Sequence, residues 1–156
     1  TMVGYVEGVD ESHGHYHIYD ALSRHFVAEK PQMMIKTGDF VSFAPIIPVE
    51  DKFKSAAVIN VLSHDEGLTA FGTFQAVATY VNPTDGYLRY RITSQIKETP
   101  EGKITEEGFA SLVNVKDDEL RKSLKVGDTV RLLLFLKRGK DKVKRNHVAA
   151  VIRNLL

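Results

Sequence analysis

The chain reads as an all-β protein of two tandem five-stranded barrels, with a short helix in the second, and three observations lead there. Apolar and polar residues alternate over short runs, as half-buried strands require. Turn-forming clusters of Gly, Pro, Asn and Asp punctuate those runs. The third observation is an internal repeat: "KTGDFVSF" at 36–43 parallels "KVGDTVRL" at 125–132, and "AAVINVL" at 56–62 parallels "AAVIRNL" at 149–155. The first match is offset by 89 positions and the second by 93, so the later copy holds four extra residues, which fall in "KRGKDKVKR" where a loop belongs. A repeat that tolerates a loop insertion indicates two similar domains.

The first copy, residues 2–62, supplies five strands in order. "GYVEGV" alternates, residues 14–19 alternate, "RHFVA" is short and aromatic, "DFVSFAPI" follows the Gly38-Asp39 turn, and "AAVINVL" closes the unit. "SHDEGLTAF" at 63–71 is expected to be a linker. The second copy, 72–156, opens with "GTFQAVATYV" and passes the Pro83-Thr84-Asp85-Gly86 turn into "YLRYRITSQI". It turns again at Thr99-Pro100-Glu101-Gly102 into "KITEEGFASLV". Asp117 then caps a predicted helix "DELRKSL", with acidic residues at its start and Arg121 and Lys122 at its end. "TVRLLLFLK" and "HVAAVIRNL" complete the set. Five strands with a helix or coil between the third and fourth is the order of an OB-type barrel.

Bulk composition narrows the function. The 156 residues suffice for one ordinary domain or two very small ones, and 43% hydrophobic with 26% charged residues is the balance of a folded protein. No apolar run is as long as a bilayer crossing and no charged-then-apolar leader opens the chain, so the expectation is a cytoplasmic protein with no membrane partner. The absence of cysteine excludes disulfides and thiolate metal sites. Net charge is +1 overall, but up to Leu68 there are 5 Lys+Arg against 10 Asp+Glu, and beyond it 16 against 10. The basic half is the one expected to face a polyanion, and the acidic half is open to a protein partner.

The motifs, taken together, resemble the cold-shock domain. That family has a second strand of the form Lys-Gly-Phe-Gly-Phe-Ile, a third of the form Val-Phe-Val-His-Phe, a Gly-(Asp/Gln)-x-Val-x-Phe strand and a closing Ala-Ala-x-Val. "HGHYHI", "HFVA", "GDFVSF" and "AAVINV" stand at these places in the first copy, and "DGYLRYRI" and "GFASL" take the two central ones in the second. The ribosomal type of RNA-binding OB module is similar too, above all to "GFASLVNV" and "LKVGDTVRL". The resemblance implies a barrel that binds single-stranded RNA or DNA, RNA before DNA, with no cofactor. The outward aromatic pair of the family's second strand falls on His15 and His17 in the first copy and on Tyr87 and Arg89 in the second. Its third-strand aromatic falls on His25, if Phe26 points inward, and on Phe109. The exposed tryptophan of its opening strand has no counterpart, because the chain has none.

The residues themselves leave alternatives. In "SHGHYHIY" alternation puts His13, His15 and His17 on one face and Tyr16 and Ile18 on the other. Those imidazoles suit a metal ion, base stacking, or plain exposure on a sheet. Same-face neighbours two apart stand about 6.5–7 Å apart, so a metal would need a twist, a bulge or His25. In the second copy Leu88, Tyr90 and Ile92 are expected to fill the core, leaving Tyr87, Arg89 and Arg91 outward, where Phe109 extends the surface. Tyr87 packed against protein is the alternative. The run Lys137, Arg138, Lys140, Lys142, Lys144 and Arg145, offset by Asp141, is either a solvated hairpin or a phosphate contact at the mouth of the groove. No glycine-rich phosphate loop, nucleophile elbow or zinc-protease helix is present, so the expectation is binding without catalysis. A structural or protein-interaction module is the competing reading.

Overall fold

The structure is a computed structural model and describes residues 2–29, 34–46 and 54–154. By contact density the chain divides into two units, Thr1–Gly72 and Thr73–Leu156. Among the described residues no helix is long and apolar enough to cross a membrane.

Unit 1 is a closed barrel of β1 (Met2–Asp10), β2 (His15–Asp20), β3 (His25–Glu29), β4 (Phe40–Pro45) and β5 (Lys54–Leu62), in the order β1-β2-β3-β5-β4. Closure comes from a parallel pairing of β3 with β5, Phe26 to Ala28 against Lys54 to Ala56, and an antiparallel pairing of β4 with β1. All the other ladders of this unit are antiparallel. Its core holds Val6, Tyr16, Ile18, Phe26, Val41 and Phe43, the inward members of each alternation. Gly4 faces the same interior, where a Cβ would come within 2.3 Å of Ile18.

The segment expected as a linker is instead a helix, α1 (His64–Phe71), packed on β1 and β4 of unit 1. Ser63 caps it: its Oγ accepts from the Glu66 N–H at 3.2 Å and donates to the Glu66 carboxylate at 2.9 Å. Gly72 ends it at φ 87°, donating to the Leu68 carbonyl. The Phe40 ring lies against Gly67, where any Cβ would fall within 2.1 Å of it, and Phe71 packs 6.0 Å from Phe40.

Unit 2 repeats the strand order without the closure. Its main sheet runs β10 (Glu107–Ser111), β7 (Tyr87–Ile92), β6 (Phe74–Asn82), β11 (Thr129–Arg138), β12 (Lys144–Arg153); β8 (Glu98–Thr99) and β9 (Gly102–Lys103) form a separate hairpin. Counted within this sheet, these are its third, second, first, fourth and fifth strands in chain order, the sequence seen around the barrel of unit 1. A second closed barrel was expected, but no ladder joins β10 to β12 among the described residues. Side chains occupy that seam. Asn146 of β12 donates to the Tyr90 hydroxyl and the Thr105 carbonyl, both at 2.9 Å, and accepts from the Thr105 N–H. Asn114 donates to the Val148 carbonyl further along. The expected helix is α2 (Asp118–Ser123), capped by Asp117, which accepts from the Leu120 N–H. A 3-10 turn, Leu112–Asn114, precedes it.

The two units share a pair of turn bonds. The Gly38 N–H donates to the Val6 carbonyl and the Val6 N–H to Asp39; in unit 2 Gly127 and Ala78, then Ala78 and Asp128, make the same two bonds. Asp39 and Asp128 each close the turn by accepting from the N–H of the lysine three residues earlier.

Candidate nucleic-acid interface

On β7 the alternation holds. Leu88, Tyr90 and Ile92 are buried, and Tyr87, Arg89 and Arg91 stand on the outer face, the two arginines exposed. Tyr90 fits inward because Gly108 lies opposite it on β10; a Cβ there would meet the Tyr90 hydroxyl at 2.4 Å. Burial pushes the Tyr90 phenol up, partly offset by its bond from Asn146.

Cross-strand partners share a face, so register builds the surface. Phe109, 73% exposed, pairs with Arg89; Glu107 pairs with Arg91 and Ser111 with Tyr87. From the other side Tyr80, 44% exposed, pairs with Arg89, and its ring lies 5.8 Å from that of Tyr87. Tyr80, Arg89 and Phe109 therefore form one row across three strands: ring, guanidinium, ring. Shallow depressions flank the arginine, one lined by Thr79, Tyr80 and Tyr87, the other by Thr79, Tyr90, Glu107, Gly108 and Phe109. Among the described residues neither Arg89 nor Arg91 is held in an ion pair.

Tyr80 is absent from the sequence reading for a definite reason. Simple alternation puts it inside with Ala76 and Ala78. The β6/β7 register shifts between Ala78 and Tyr80, leaving Thr79 as an extra residue. That bulge re-aims everything after it, turning Tyr80 outward and Val81 toward the core. Tyr80 thus places an exposed ring on the opening strand of unit 2, in a chain that has no tryptophan. In unit 1 β1 has the same irregularity, between Val6 and Gly8, but the residue beyond it is a glycine.

Four histidines of unit 1, His13, His15, His17 and His25, separate into two groups. His13 lies outside β2, in the turn before it, with its ring 2.8 Å from the Asp10 carboxylate and stacked near His15 at 6.2 Å. Hydrogen bonds from Ser12 and His13 hold the Asp10 carboxyl at about 2. His17 Nδ1 and His25 Nε2 share a hydrogen bond at 2.9 Å, and His25 stacks on Tyr19 with centroids 4.7 Å apart. Burial, with Glu7 nearby, pushes the Tyr19 phenol up to about 12. Phe26 does point inward, as the placement of His25 required. Register nevertheless corrects the equivalence drawn from it. His17 pairs with Gly8 and Val27, as Arg89 pairs with Tyr80 and Phe109. Val27 thus takes the place of Phe109, while His25, opposite Tyr19, takes that of Glu107. Among the described residues no three His, Cys, Asp or Glu side chains are grouped to hold a metal ion.

The basic run straddles a turn rather than filling a loop. Lys137 and Arg138 end β11, and Lys144 and Arg145 begin β12. Lys144 is paired with Glu101 at 2.5 Å, and Arg145 holds Asp141 through its two terminal guanidinium nitrogens, keeping that carboxyl at about 2. Arg138, Lys140 and Lys142 are exposed and, among the described residues, unpaired. Asn146, the residue after Arg145, bonds Thr105, which ties the base of this turn to the end of the β7/β10 ladder bearing Arg91 and Glu107.

No family model matches the chain, and no curated protein matches it. Among solved structures it is similar to the Drosophila protein Unr (the segment CSD456), at 14% identity and a TM-score of 0.39 over 97% of this chain and 59% of that one. It is also similar to a multidomain protein with nucleic acid binding domains from Streptococcus pneumoniae, at 18% identity and a TM-score of 0.27 over 95% of this chain and 44% of that one. The chain thus spans less than two thirds of either.

Proposed function

We propose that the chain binds single-stranded nucleic acid, RNA ahead of DNA, without chemical turnover, and that unit 2 supplies most of the attraction. The observation that carries this is the row Tyr80, Arg89 and Phe109 on an exposed strand face. Aromatic rings on such a face accept unpaired bases of any sequence, each stack contributing about 1–3 kcal/mol. A guanidinium between them both stacks and pairs with phosphate. Arg91, Arg138, Lys140 and Lys142 extend the positive field from the row toward the β11–β12 turn, one of the two loops with which OB folds grip oligonucleotides. Unpaired RNA suits this surface because its loops and ends present unstacked bases. The shared strand order supports reading the two units as tandem forms of one barrel, the second with a side-chain seam. Unit 1, acidic and with Gly8 and Val27 where unit 2 has rings, adds a weaker face through His15, His17 and His25.

The test is a titration of labelled single-stranded RNA and DNA of mixed sequence over a salt series. About four phosphate contacts give a slope of log affinity on log salt near −3. A salt-independent affinity, or one untouched by Phe109→Ala, overturns the reading and favours a protein-interaction role.

A further inference from the structure

Beyond the row lies a second groove, and we infer that a bound strand leaves the platform at its Tyr87 end and seats its next nucleotide there. This inference rests on the platform reading and adds a site to it. The groove is bounded by the β6–β7 turn and by the connection from Leu112 to Leu124. It adjoins the end of the platform: Gly86 precedes Tyr87, Leu112 follows Ser111, and the Leu112 N–H donates to the Gly86 carbonyl at 2.9 Å. The groove therefore lies next to the Tyr87 end of β7 and β10.

The chemistry changes from polar to mixed. Pro83, Leu112, Val113 and Leu124 give an apolar floor, and Val113 is 70% exposed, an aliphatic side chain left in water. The rim carries Lys116, Arg121 and Lys122 against one acid, Asp118. Arg121 neutralises that acid at 2.6 Å and is fixed by donating to the Val115 carbonyl at 3.0 Å. Lys116 and Lys122 are left exposed and, among the described residues, unpaired, so the lining is positive on balance. An apolar floor under two ammonium groups suits the base and the flanking phosphates of one further nucleotide.

Oligomer length tests this. A homopolymer of about three nucleotides covers the row alone, whereas one of about eight reaches the groove. The full chain is expected to bind the longer oligomer at least tenfold more tightly. Lys116→Glu with Lys122→Glu is expected to lower the affinity for the longer one about tenfold and to shallow its salt slope by about 1.4, while leaving the shorter unaffected. Lys116→Gln with Lys122→Gln gives the same direction with a smaller loss. Equal weakening of both oligomers, or of neither, overturns the groove. Arg89→Ala with Phe109→Ala serves as the control: it must weaken both lengths, and if it weakens neither, the platform reading itself has failed.

Discussion

Gly8 and Tyr80 occupy the same place in the two units, each immediately beyond the bulge in its opening strand and each opposite the central outward residue of the second strand, His17 or Arg89. At this position unit 2 carries a ring that unit 1 lacks. Tyr80→Ala is expected to weaken oligonucleotide binding by about 1–3 kcal/mol, the worth of one stacked base. Gly8→Tyr is the converse. No atom outside its immediate chain neighbours lies within 4 Å of where its Cβ would sit, so unit 1 should accept the ring and bind more tightly. Fluorescence anisotropy with one labelled oligomer measures both; a Gly8→Tyr variant that folds and gains nothing would show that the row needs Arg89 more than the ring.

Arg89 pairs in register with both Tyr80 and Phe109, so its charge and its plane can be separated. Arg89→Lys keeps a cation for phosphate but loses the flat fork that stacks on a base. The expected result is a lower affinity at an unchanged salt slope, whereas Arg89→Ala lowers the affinity further and shallows the slope by about 0.7. Salt-series titrations of the two variants distinguish these outcomes.

Alternation revealed the strands and most of the outward face, because each strand buries one side only. Leu88, Tyr90 and Ile92 were legible as core for that reason, and Asp117 as a cap. What escaped was whatever one inserted residue or one side-chain bond decides. Thr79 inverts the facing of Tyr80, and nothing in "QAVATYV" marks the bulge. Asn146 bridges a seam that was expected to be a ladder, yet its partners Thr105 and Tyr90 are 41 and 56 residues away. Helix α1 was readable in principle: Ser63 and Glu66 stand at the spacing of a capping box and Gly72 is a stop, but the apolar residues between them are few.

That seam makes Asn146 a prediction in its own right. Asn146→Ala removes two bonds to Thr105 and one to the buried Tyr90 hydroxyl. Leaving a buried polar group unpaired costs about 1–3 kcal/mol. Urea denaturation should show a loss in that range, and Tyr90→Phe combined with it should recover part, since the orphaned hydroxyl is then gone. No recovery would mean that the Thr105 bonds carry the seam.

Tyr5, Tyr19 and Tyr90 are phenols raised by burial, Tyr19 to about 12. A phenol raised in the folded state holds its proton where the unfolded chain, with pKa near 10, has lost it. Its contribution is whole below about pH 10 and is lost as pH climbs toward the folded value. The melting temperature should therefore fall steeply between about pH 10 and 12, and Tyr19→Phe should flatten the fall. An ultraviolet titration in which all phenolates appear together near 10 in the folded protein would contradict this.

The β11–β12 turn offers a last test, in which the obvious mutation is the wrong one. Arg145 and Lys144 look like phosphate ligands in the sequence, yet Asp141 and Glu101 already hold them. Lys140→Glu with Lys142→Glu, altering exposed and unpaired cations, should shallow the salt slope by about 1.4. Arg145→Ala removes a charge that Asp141 already offsets, but it also frees that carboxylate at the turn, so affinity should fall by less and the slope should barely change. Asp141→Asn should do the reverse, releasing Arg145 toward the ligand and tightening binding at low salt. Because the Arg145 pairing holds the Asp141 carboxyl near 2, lowering the pH to 5 should leave this ordering intact. Filter binding of the three variants at two salt concentrations decides it: equal losses for the lysine pair and for Arg145→Ala would mean that the ion pair opens when the strand arrives.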